Sequence, residues 1–350
     1  MGFLINLLLF ILILSSIVFV HEFGHFIFAK LTGVYVYEFA IGMGPKLFSK
    51  KGKETEYTIR AIPIGGFCMM AGEDLEDDDL KDIPEEKRLQ NKKPWQRFLI
   101  MFFGAGNNFI YAILLLFLIA IIWGGASMDP VVTSVLKNSA AANSGIEAGD
   151  RILEINGHSI STTDDISLYL AVADPEEASD IKVRKEDKSI ETYSVQPKKK
   201  KVDGKTTYQY GIGMEQEKEY GIISALKWTG QKTVSIFKQM AVTVFYLFTG
   251  GISISQLSGP VGIFSVVGST VSEGIMNLIY LTAFLSINVG FINLLPLPAF
   301  DGGHILFIII EKIKGSPVKP ETENMIHTIG LFLLMILMVV ITFQDILRLF

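Results

Sequence analysis

Two histidines and a glutamate interrupt the apolar stretch SIVFVHEFGHFIFAK at residues 16–30. His21 and His25 are four residues apart, so a helix would place both imidazoles on one face, where they could bind one Zn²⁺ ion. Glu22 could then act as a general base on a metal-bound water. The alternative is a structural pair of histidines that hydrogen-bond between helices, with Glu22 as a buried partner. The metal site is favoured because ionisable groups inside a membrane span are costly and usually functional.

A hydrolytic zinc site needs a third protein ligand and an open position for water. The apolar stretch 275–310 contains one acidic residue, Asp301, and one histidine, His304, both within NLLPLPAFDGGHIL. The prolines and paired glycines there interrupt a helix, and irregular backbone at membrane depth is tolerated only within protein or beside a water-filled cavity. Asp301 is therefore the predicted third ligand. His304 is the competing candidate, and otherwise a packing residue.

The composition is that of a membrane protein. With a mean hydropathy of +0.40 and 49% hydrophobic residues, the chain is too apolar for an ordinary soluble protein. A bilayer core takes about 20 helical residues, and four apolar stretches approach or exceed this length: 3–20, 98–123, 275–310 and 328–343. We expect four spans, the third irregular. The first stretch lacks a basic start and a small-residue cleavage site, so we expect a retained span rather than a cleaved signal peptide.

Charge and cysteine content exclude other classes of protein. The net charge of −5 gives no reason to expect nucleic-acid binding. Cys68 is the single cysteine, which rules out an internal disulfide and a multi-cysteine zinc site.

Two regions outside the apolar stretches carry strand patterns. Residues 31–95 are rich in glycine, and Tyr57–Ile62 alternates as a strand does. Residues 129–215 are polar and include SGIEAGDRILEINGHSI, in which a Gly-Asp turn, a short strand and an Asn-Gly turn predict a hairpin.

Residues 222–275 are ambiguous between a surface helix and a fifth span at 233–249. Lys238 and Gln239 lie in the middle of its apolar run, which favours an amphipathic helix on the membrane surface. The positions of the predicted ligands also favour the surface helix, because His21 and Asp301 each lie roughly 20 residues into a span. They reach similar depth only if the first and third spans run parallel, and a fifth span would reverse the third.

The distribution of basic residues suggests an orientation. Basic residues flank the span ends in the loops 30–97 and 311–326, which the positive-inside rule places in the cytoplasm. They are Lys30, Lys92, Lys93, Arg97, Lys312 and Lys314. The segment 124–277 would then lie outside the cell, and the metal-binding residues toward the cytoplasmic side.

With these motifs the sequence resembles the site-2 protease family of intramembrane zinc metalloproteases, in particular the bacterial RseP-like regulators with an extracytoplasmic PDZ domain. The resemblance is carried by HEFGH at 21–25 together with NLLPLPAFDGG, because HExxH paired with NxxPxPxxDG is very specific. IGMGPKLF and IPIGGF resemble the membrane-associated β-hairpin region of the family, SGIEAGDRILEINGHSI is similar to a single bacterial PDZ domain, and LSGPVGI to the segment before the last catalytic span.

The resemblance implies roles for individual residues. His21, His25 and Asp301 would bind one zinc ion, and Glu22 would be the general base. Asn293 and Pro296, in the substrate-contacting loop of the family, would hold an unwound substrate. The implied partners are transmembrane protein substrates, such as anti-sigma factors or remnant signal peptides, and the lipid bilayer of the bacterial plasma membrane, with no nucleic acid.

Two positions depart from the family pattern. Phe300 precedes Asp301 where leucine is common. In FFGAGNNF of the second span, Ala105 stands where proline is usual, with Asn108 at the position that matches the family's asparagine. The second departure leaves open which contact the second span makes, but it does not affect the predicted metal ligands.

The predicted fold is a polytopic α-helical membrane protein of about four transmembrane helices, with a membrane-associated β-hairpin region and an inserted extracytoplasmic PDZ domain. Its predicted segments are the first transmembrane helix (1–30), the β region and loop (31–96), the second helix (97–124), the PDZ domain (125–215), extracytoplasmic amphipathic helices (216–275), the third segment (276–311), a cytoplasmic loop (312–325) and the fourth helix (326–350).

Two other functional classes compete with the protease. A metal transporter could use histidine and aspartate in its spans as a transit site, but a base-positioned Glu22 and the absence of metal-rich loops argue against it. A non-catalytic PDZ scaffold with a vestigial site is disfavoured because the predicted ligand set is complete. Changing Glu22 to glutamine separates these classes, since only proteolysis requires the carboxylate.

Overall fold

The computed structural model describes residues 2–73, 83–202, 205–215, 217–253, 255 and 257–348. The chain divides into two compact units, Met1–Leu115 together with Ile254–Phe350, and Leu116–Ser253. The helices are α1 (Gly2–Leu31), α2 (Pro94–Trp123), α3 (Ala140–Ser144), α4 (Thr163–Val172), α5 (Ile222–Thr249), α6 (Pro260–Glu273), α7 (Ile275–Leu294), α8 (Asp301–Lys314) and α9 (Pro320–Leu347). The strands are β1 (Val36–Lys51), β2 (Glu56–Met70), β3 (Gly125–Ala126), β4 (Ser134–Val135), β5 (Arg151–Ile155), β6 (His158–Ser159), β7 (Ser179–Arg184), β8 (Ile190–Val195), β9 (Lys198–Val202), β10 (Lys205–Gln209), β11 (Ile212–Gly213) and β12 (Lys218–Glu219).

The expected polytopic architecture is confirmed. Among the described residues, four helices are long and apolar enough to cross a bilayer: α1, α2, α7 and Glu321–Leu347 of α9. Helices α2 and α9 begin earlier than the predicted spans at 97 and 326. Each begins at a proline, Pro94 or Pro320, because the fixed φ and missing N–H of proline suit the first helical turn. The apolar pattern reveals only the part of each helix that lies in lipid.

The third apolar segment is broken, as its sequence predicted. Helix α7 ends at Leu294, and α8 begins only at Asp301. Pro296 and Pro298 lie in between, where neither can donate the backbone hydrogen bond that a continuing helix needs. The break places an irregular loop directly before Asp301.

Strands β1 and β2 pair antiparallel with several register shifts. The pairing folds back on itself, since Thr55 beside the turn donates its hydroxyl to the carbonyl oxygen of Val36 at 2.8 Å. In this hairpin, Val36, Cys68 and Met70 are buried in a cluster with Ala29 of α1 and Ile100 of α2. Elsewhere the two strands expose apolar side chains: Ile41, Met43, Leu47, Phe48, Ile59 and Ile62. Such an apolar surface is typical of a region that meets lipid or a partner, and lipid contact stays a prediction for this hairpin.

The second unit is built around a four-stranded antiparallel sheet in the order β6-β5-β7-β8. Its core includes Ile152, Ile155 and Ile181 from the strands and Ile166 from α4. The predicted Asn-Gly hairpin is present: Ile155 pairs with His158 across a turn in which both central residues have positive φ.

Helix α5 belongs to this second unit. Its polar side chains contact the start of α4: Lys232 Nζ and Ser235 Oγ both lie 2.7 Å from Asp164 Oδ2, and Lys238 Nζ lies 2.9 Å from Asp165 Oδ1. Lys238, whose charge argued against a fifth span, is thus held by an ion pair. Although 28 residues long, α5 is not among the four candidate spans in the described chain.

Helix α6 lies in the first unit, not with α5. Val267 is fully buried in a cluster with Ile13 and Ile17 of α1 and Leu278 of α7. The stretch predicted as one set of extracytoplasmic helices, 216–275, is therefore divided between the two units. The physical reason is the apolar face of α6, which is buried against α1 and α7 rather than lying free at a surface.

Candidate metal centre

Helix α1 supplies two of the predicted ligands from successive turns. His21 Nε2 and His25 Nε2 are 3.3 Å apart, and the residues are only 9% and 6% exposed. The helix approaches α2 very closely at Gly24, where a Cβ atom would lie 1.9 Å from the carbonyl oxygen of Phe103. This contact sets the face of α1 that carries both histidines against α2.

Asp301, the first residue of α8, completes the cluster. Its Oδ2 lies 3.2 Å from His21 Nε2 and 3.5 Å from His25 Nε2. The same oxygen is buried without a hydrogen-bond partner among the described residues. The three predicted ligands thus meet, although His21 and Asp301 are 280 residues apart in the sequence.

The three ligand atoms fit a tetrahedral zinc ion. Two ligand atoms at about 2.0–2.1 Å from one zinc, at a tetrahedral angle, lie about 3.3 Å apart. The observed separations of 3.2, 3.3 and 3.5 Å match three edges of such a tetrahedron. A buried carboxylate oxygen without a donor is also what a cation would satisfy. The fourth corner would remain for water.

The other ring nitrogen of His25 is held by the backbone. His25 Nδ1 lies 2.9 Å from the carbonyl oxygen of Ile100 in α2. A carbonyl can only accept, so Nδ1 carries the proton and donates it. Nε2 of the neutral ring is then left with a lone pair that faces the cluster, as a metal ligand requires.

Asn108 of α2 performs the same task for His21 if its amide is turned. Asn108 Nδ2 lies 3.3 Å from His21 Nδ1, while Asn108 Oδ1 is buried and has no hydrogen-bond partner in the described parts of the chain. Oxygen and nitrogen of an amide have nearly the same shape. Turning the amide by 180° gives Oδ1 a donor in His21 Nδ1–H and leaves the His21 Nε2 lone pair for a metal. We therefore assign Asn108 the turned orientation.

Gly104 of α2 makes room for the cluster. A Cβ atom at this position would lie 2.3 Å from His25 Nε2 and 3.0 Å from Asp301 Oδ2. No side chain fits this space without moving a ligand. The sequence motif FFGAGNNF therefore contributes a gap at Gly104 and a hydrogen-bond partner at Asn108.

Glu22 lies next to the two histidines, half-buried on α1. Gly66 of β2 lies beside it, since a Cβ there would be 3.7 Å from Glu22 Cγ. The side chain of Glu22 thus leaves α1 next to His21 and packs beside the β hairpin.

The remaining predicted residues lie around the break before Asp301. Asn293 is half-buried in the last turn of α7, and Pro296 is exposed in the following loop. His304, the competing third ligand, is not part of the cluster: its Nδ1 lies 3.1 Å from Glu323 Oε1 of α9. Sequence reasoning did not identify Gly104 or the Ile100 carbonyl, because neither a missing side chain nor a backbone oxygen has a signature.

The chain was compared with known proteins. The model of peptidase family M50 matches residues 9–337. The chain belongs to this family. This M50 peptidase is 33% identical to the regulator of sigma-W protease RasP of Bacillus subtilis, over 99% of this chain and 100% of that protein. It is 32% identical to the zinc metalloprotease RasP of Bacillus licheniformis, over 97% and 98% of the two chains.

The family and its named members establish the enzyme class. The protein is a zinc metalloprotease with Zn²⁺ as its cofactor, and the part of the chain that the structure describes includes four candidate membrane spans. The resemblance to site-2 proteases inferred from HEFGH and NLLPLPAFDGG is thereby confirmed.

We predict that Gly104→Ala prevents zinc binding. The added methyl group would overlap the His25 imidazole and crowd Asp301. Zinc per purified chain, measured by atomic emission, should fall from about one to near zero. Gly106→Ala is the matched control on the same helix, because its Cβ would meet only phenylalanine ring atoms at 3.2 Å or more. Full zinc content in Gly104→Ala would contradict this geometry.

A second prediction concerns Asn108. Asn108→Asp keeps an acceptor for His21 Nδ1–H, whereas Asn108→Leu removes it. We expect Asn108→Leu to weaken zinc affinity by about 10- to 100-fold, the usual effect of losing a hydrogen bond behind a histidine ligand. Asn108→Asp should stay close to wild type. Competition with a chelator of known affinity measures both, and equal affinity in the two variants would disprove the turned amide.

Proposed function

We propose that this M50 peptidase hydrolyses peptide bonds within the transmembrane segments of other membrane proteins. In this proposal His21, His25 and Asp301 bind the zinc ion and Glu22 is the general base. The observation that carries it is the convergence of three ligand atoms within 3.5 Å, two of them on the candidate span α1 and the third on Asp301, which follows the candidate span α7 after a short loop. A protease for soluble substrates has no need to bury its centre in such helices.

The chemistry divides between the ion and the protein. When bound, zinc polarises the scissile carbonyl and acidifies a water molecule. Glu22 takes the proton of that water and can pass it to the leaving amine. His25 is held in its ligating tautomer by Ile100 O, and His21 by Asn108. The apolar helices around the cluster limit access of bulk water.

A substrate helix must unwind before it can be cut. Each unpaired backbone group in lipid costs several kcal/mol, so the protein has to supply substitute hydrogen bonds. The β1–β2 hairpin lies beside Glu22 at Gly66 and could accept the unwound segment as an added strand. Asn293 could bond the substrate backbone from the other side, and Pro296 would keep the loop from folding into a helix.

The substrate class follows from this arrangement. Transmembrane segments of membrane proteins would reach the site from the lipid bilayer, and no nucleic acid takes part. Anti-sigma factors and remnant signal peptides are two substrate groups with such segments. One relative is named regulator of sigma-W protease RasP, and the sigma factor in that name supports a role in regulated intramembrane proteolysis.

Cleavage of a model transmembrane peptide by the purified protein in detergent tests the proposal. We expect wild type to cleave the peptide and Glu22→Gln to lose about 100- to 10,000-fold in rate, because the base is removed while the ligands remain. Both proteins should contain about one zinc per chain. Asp301→Ala, as the matched ligand variant, should lose zinc as well as activity.

The same variants, with an additional assay of metal uptake into vesicles, separate the competing functions. A transporter would retain metal uptake into vesicles when Glu22 is changed to glutamine, and a scaffold would show no zinc-dependent cleavage in any variant. Zinc in wild type and undiminished cleavage by Glu22→Gln would contradict the role of Glu22. Full zinc content in Asp301→Ala would contradict its role as a ligand.

We further propose an orientation in the bacterial plasma membrane. Lys92 Nζ binds the carbonyl oxygens of Thr32 and Gly33 at 2.9 Å, and Arg97 pairs with Glu311. These bonds support one common side for the end of α1, the start of α2 and the end of α8, where basic residues cluster. By the positive-inside rule this side is cytoplasmic, with the active site toward it.

The sheet-containing insert would then lie outside the cytoplasm. Chain order supports this, because the insert follows the end of α2 that is remote from its basic start. We propose that residues 125–215 are a PDZ domain, supported by the four-stranded sheet with α3 and α4 and by the motif SGIEAGDRILEINGHSI. Helix α5, with its apolar side chains exposed, would lie on the outer membrane surface.

Cysteine labelling tests the orientation. In a Cys68→Ala background, Lys188→Cys in the insert should react with a membrane-impermeant maleimide in intact spheroplasts. Glu86→Cys, exposed between β2 and α2, should react only after permeabilisation, because it would lie in the cytoplasm. The opposite pattern would reverse the orientation, and labelling of both residues in intact spheroplasts would reject it.

A further inference from the structure

The loop between α7 and α8, residues 295–300, contains a strained residue. Ala299 has φ +72°, a left-handed conformation that a residue with a Cβ atom adopts only when its surroundings enforce it. The loop has few hydrogen bonds of its own, since Pro296 and Pro298 lack donors. Some other part of the protein must therefore hold Ala299 in place.

Helix α9 provides the support. The backbone N–H of Ala299 donates to His327 Nδ1 at 3.1 Å. One turn later, Gly330 lies against Pro298, where a Cβ atom would be 2.2 Å from Pro298 Cβ. The same face of α9 thus holds the loop by a hydrogen bond at His327 and by close backbone packing at Gly330.

The His327 ring is itself fixed from the other side. It stacks on His304 of α8, with ring centroids 3.9 Å apart and an interplanar angle of 13°. His304 Nδ1 in turn lies 3.1 Å from Glu323 Oε1, one turn before His327 on α9. The ring therefore has little freedom to turn its Nδ1 away from the loop.

The hydrogen bond to Ala299 also bears on whether His304, Glu323 and His327 could bind a metal ion. His304, Glu323 and His327 offer ligand atoms within 4.8 Å of one another. However, a neutral imidazole that accepts at Nδ1 carries its proton on Nε2. The buried Nε2 of His327 then has no lone pair for a metal, so the group is better suited to hold the loop than to bind a second ion.

We propose that His327 is a positioning residue for catalysis, which holds the α7–α8 loop in the conformation that presents Pro296 and Asn293 to the substrate. The proposal rests on the proposed function for the role of the loop. The hydrogen bond that His327 Nδ1 accepts from Ala299 positions the loop. Another side chain with an acceptor at the same place should therefore be able to replace the imidazole. Helix α9, which contributes no zinc ligand in the proposed site, would thus be part of the substrate-binding apparatus.

The test compares two substitutions at this position. Asn Oδ1 occupies the place of His Nδ1 and can accept from Ala299 N–H, whereas leucine has similar bulk and no acceptor. For His327→Leu we expect turnover to fall by about tenfold or more at saturating substrate, since misplaced substrate contacts slow the chemical step. His327→Asn should remain within about threefold of wild type. Zinc should stay at about one per chain in both.

Hydrogen exchange provides a readout that does not depend on activity. Two of the six residues at 295–300 are prolines and have no amide, so the Ala299 amide is a large part of the deuterium uptake of this segment. We expect fast uptake in His327→Leu and protected uptake in wild type and His327→Asn. Thr328→Leu is the matched control, an exposed neighbour on α9. Gly330→Ala should mimic His327→Leu by displacing Pro298.

Each outcome bears on the proposal. Protected uptake in His327→Leu, or turnover within twofold of wild type, would overturn it. Equal defects in His327→Asn and His327→Leu would also overturn it, since the ring and not the acceptor would then matter. Loss of zinc in both variants would indicate a merely structural role. If wild type itself does not cleave the peptide, the proposed function fails, while the exchange result still decides whether His327 holds the loop.

Discussion

Three electron-pair donors face one another at 3.2–3.5 Å within apolar helices, and the rest of the structure follows from this arrangement. With both histidines in the ligating tautomer, two imidazole lone pairs and a carboxylate oxygen repel each other, and a cation bound among them removes that repulsion. The protein must therefore hold the ligands rigidly, so that the free energy gained when they bind the ion exceeds the free energy lost when they are removed from water. It does so with backbone contacts: Gly24 and Gly104 let α1 and α2 touch, and the Ile100 carbonyl fixes the His25 ring.

The third membrane segment is broken directly before the residue that supplies the third ligand atom. A continuous helix would pair all its backbone groups within itself. Here α7 stops at Leu294, and α8 begins at Asp301 with its carboxylate directed at the histidines. The irregular loop between them has to be stabilised from outside. Contacts from α9 at His327 and Gly330 supply that stabilisation.

The two units differ in how they obtain stability. The first unit exposes many large apolar side chains, such as Leu331, Phe332 and Leu333 on α9, which suits helices surrounded by lipid. The second unit has the closed apolar core of an ordinary water-soluble sheet domain, with Ile152, Ile166 and Ile181 buried. Helix α5 shows both characters, since it pairs Lys232 and Lys238 with α4 and exposes apolar residues elsewhere.

The amino-acid sequence by itself determined the family, the four spans, the break in the third span and the candidate ligands. These features follow from local patterns: apolar length, helix-breaking prolines and the i, i+4 spacing of His21 and His25. The tertiary structure alone decided what depends on distant segments. It separated α6 from α5, paired His304 with Glu323 instead of the cluster, and brought Gly104, Asn108 and His327 to their places. The role of a missing Cβ, a backbone carbonyl or an amide depends on the residues that pack against it. Those residues come from distant segments, so the periodicity of the sequence does not predict them.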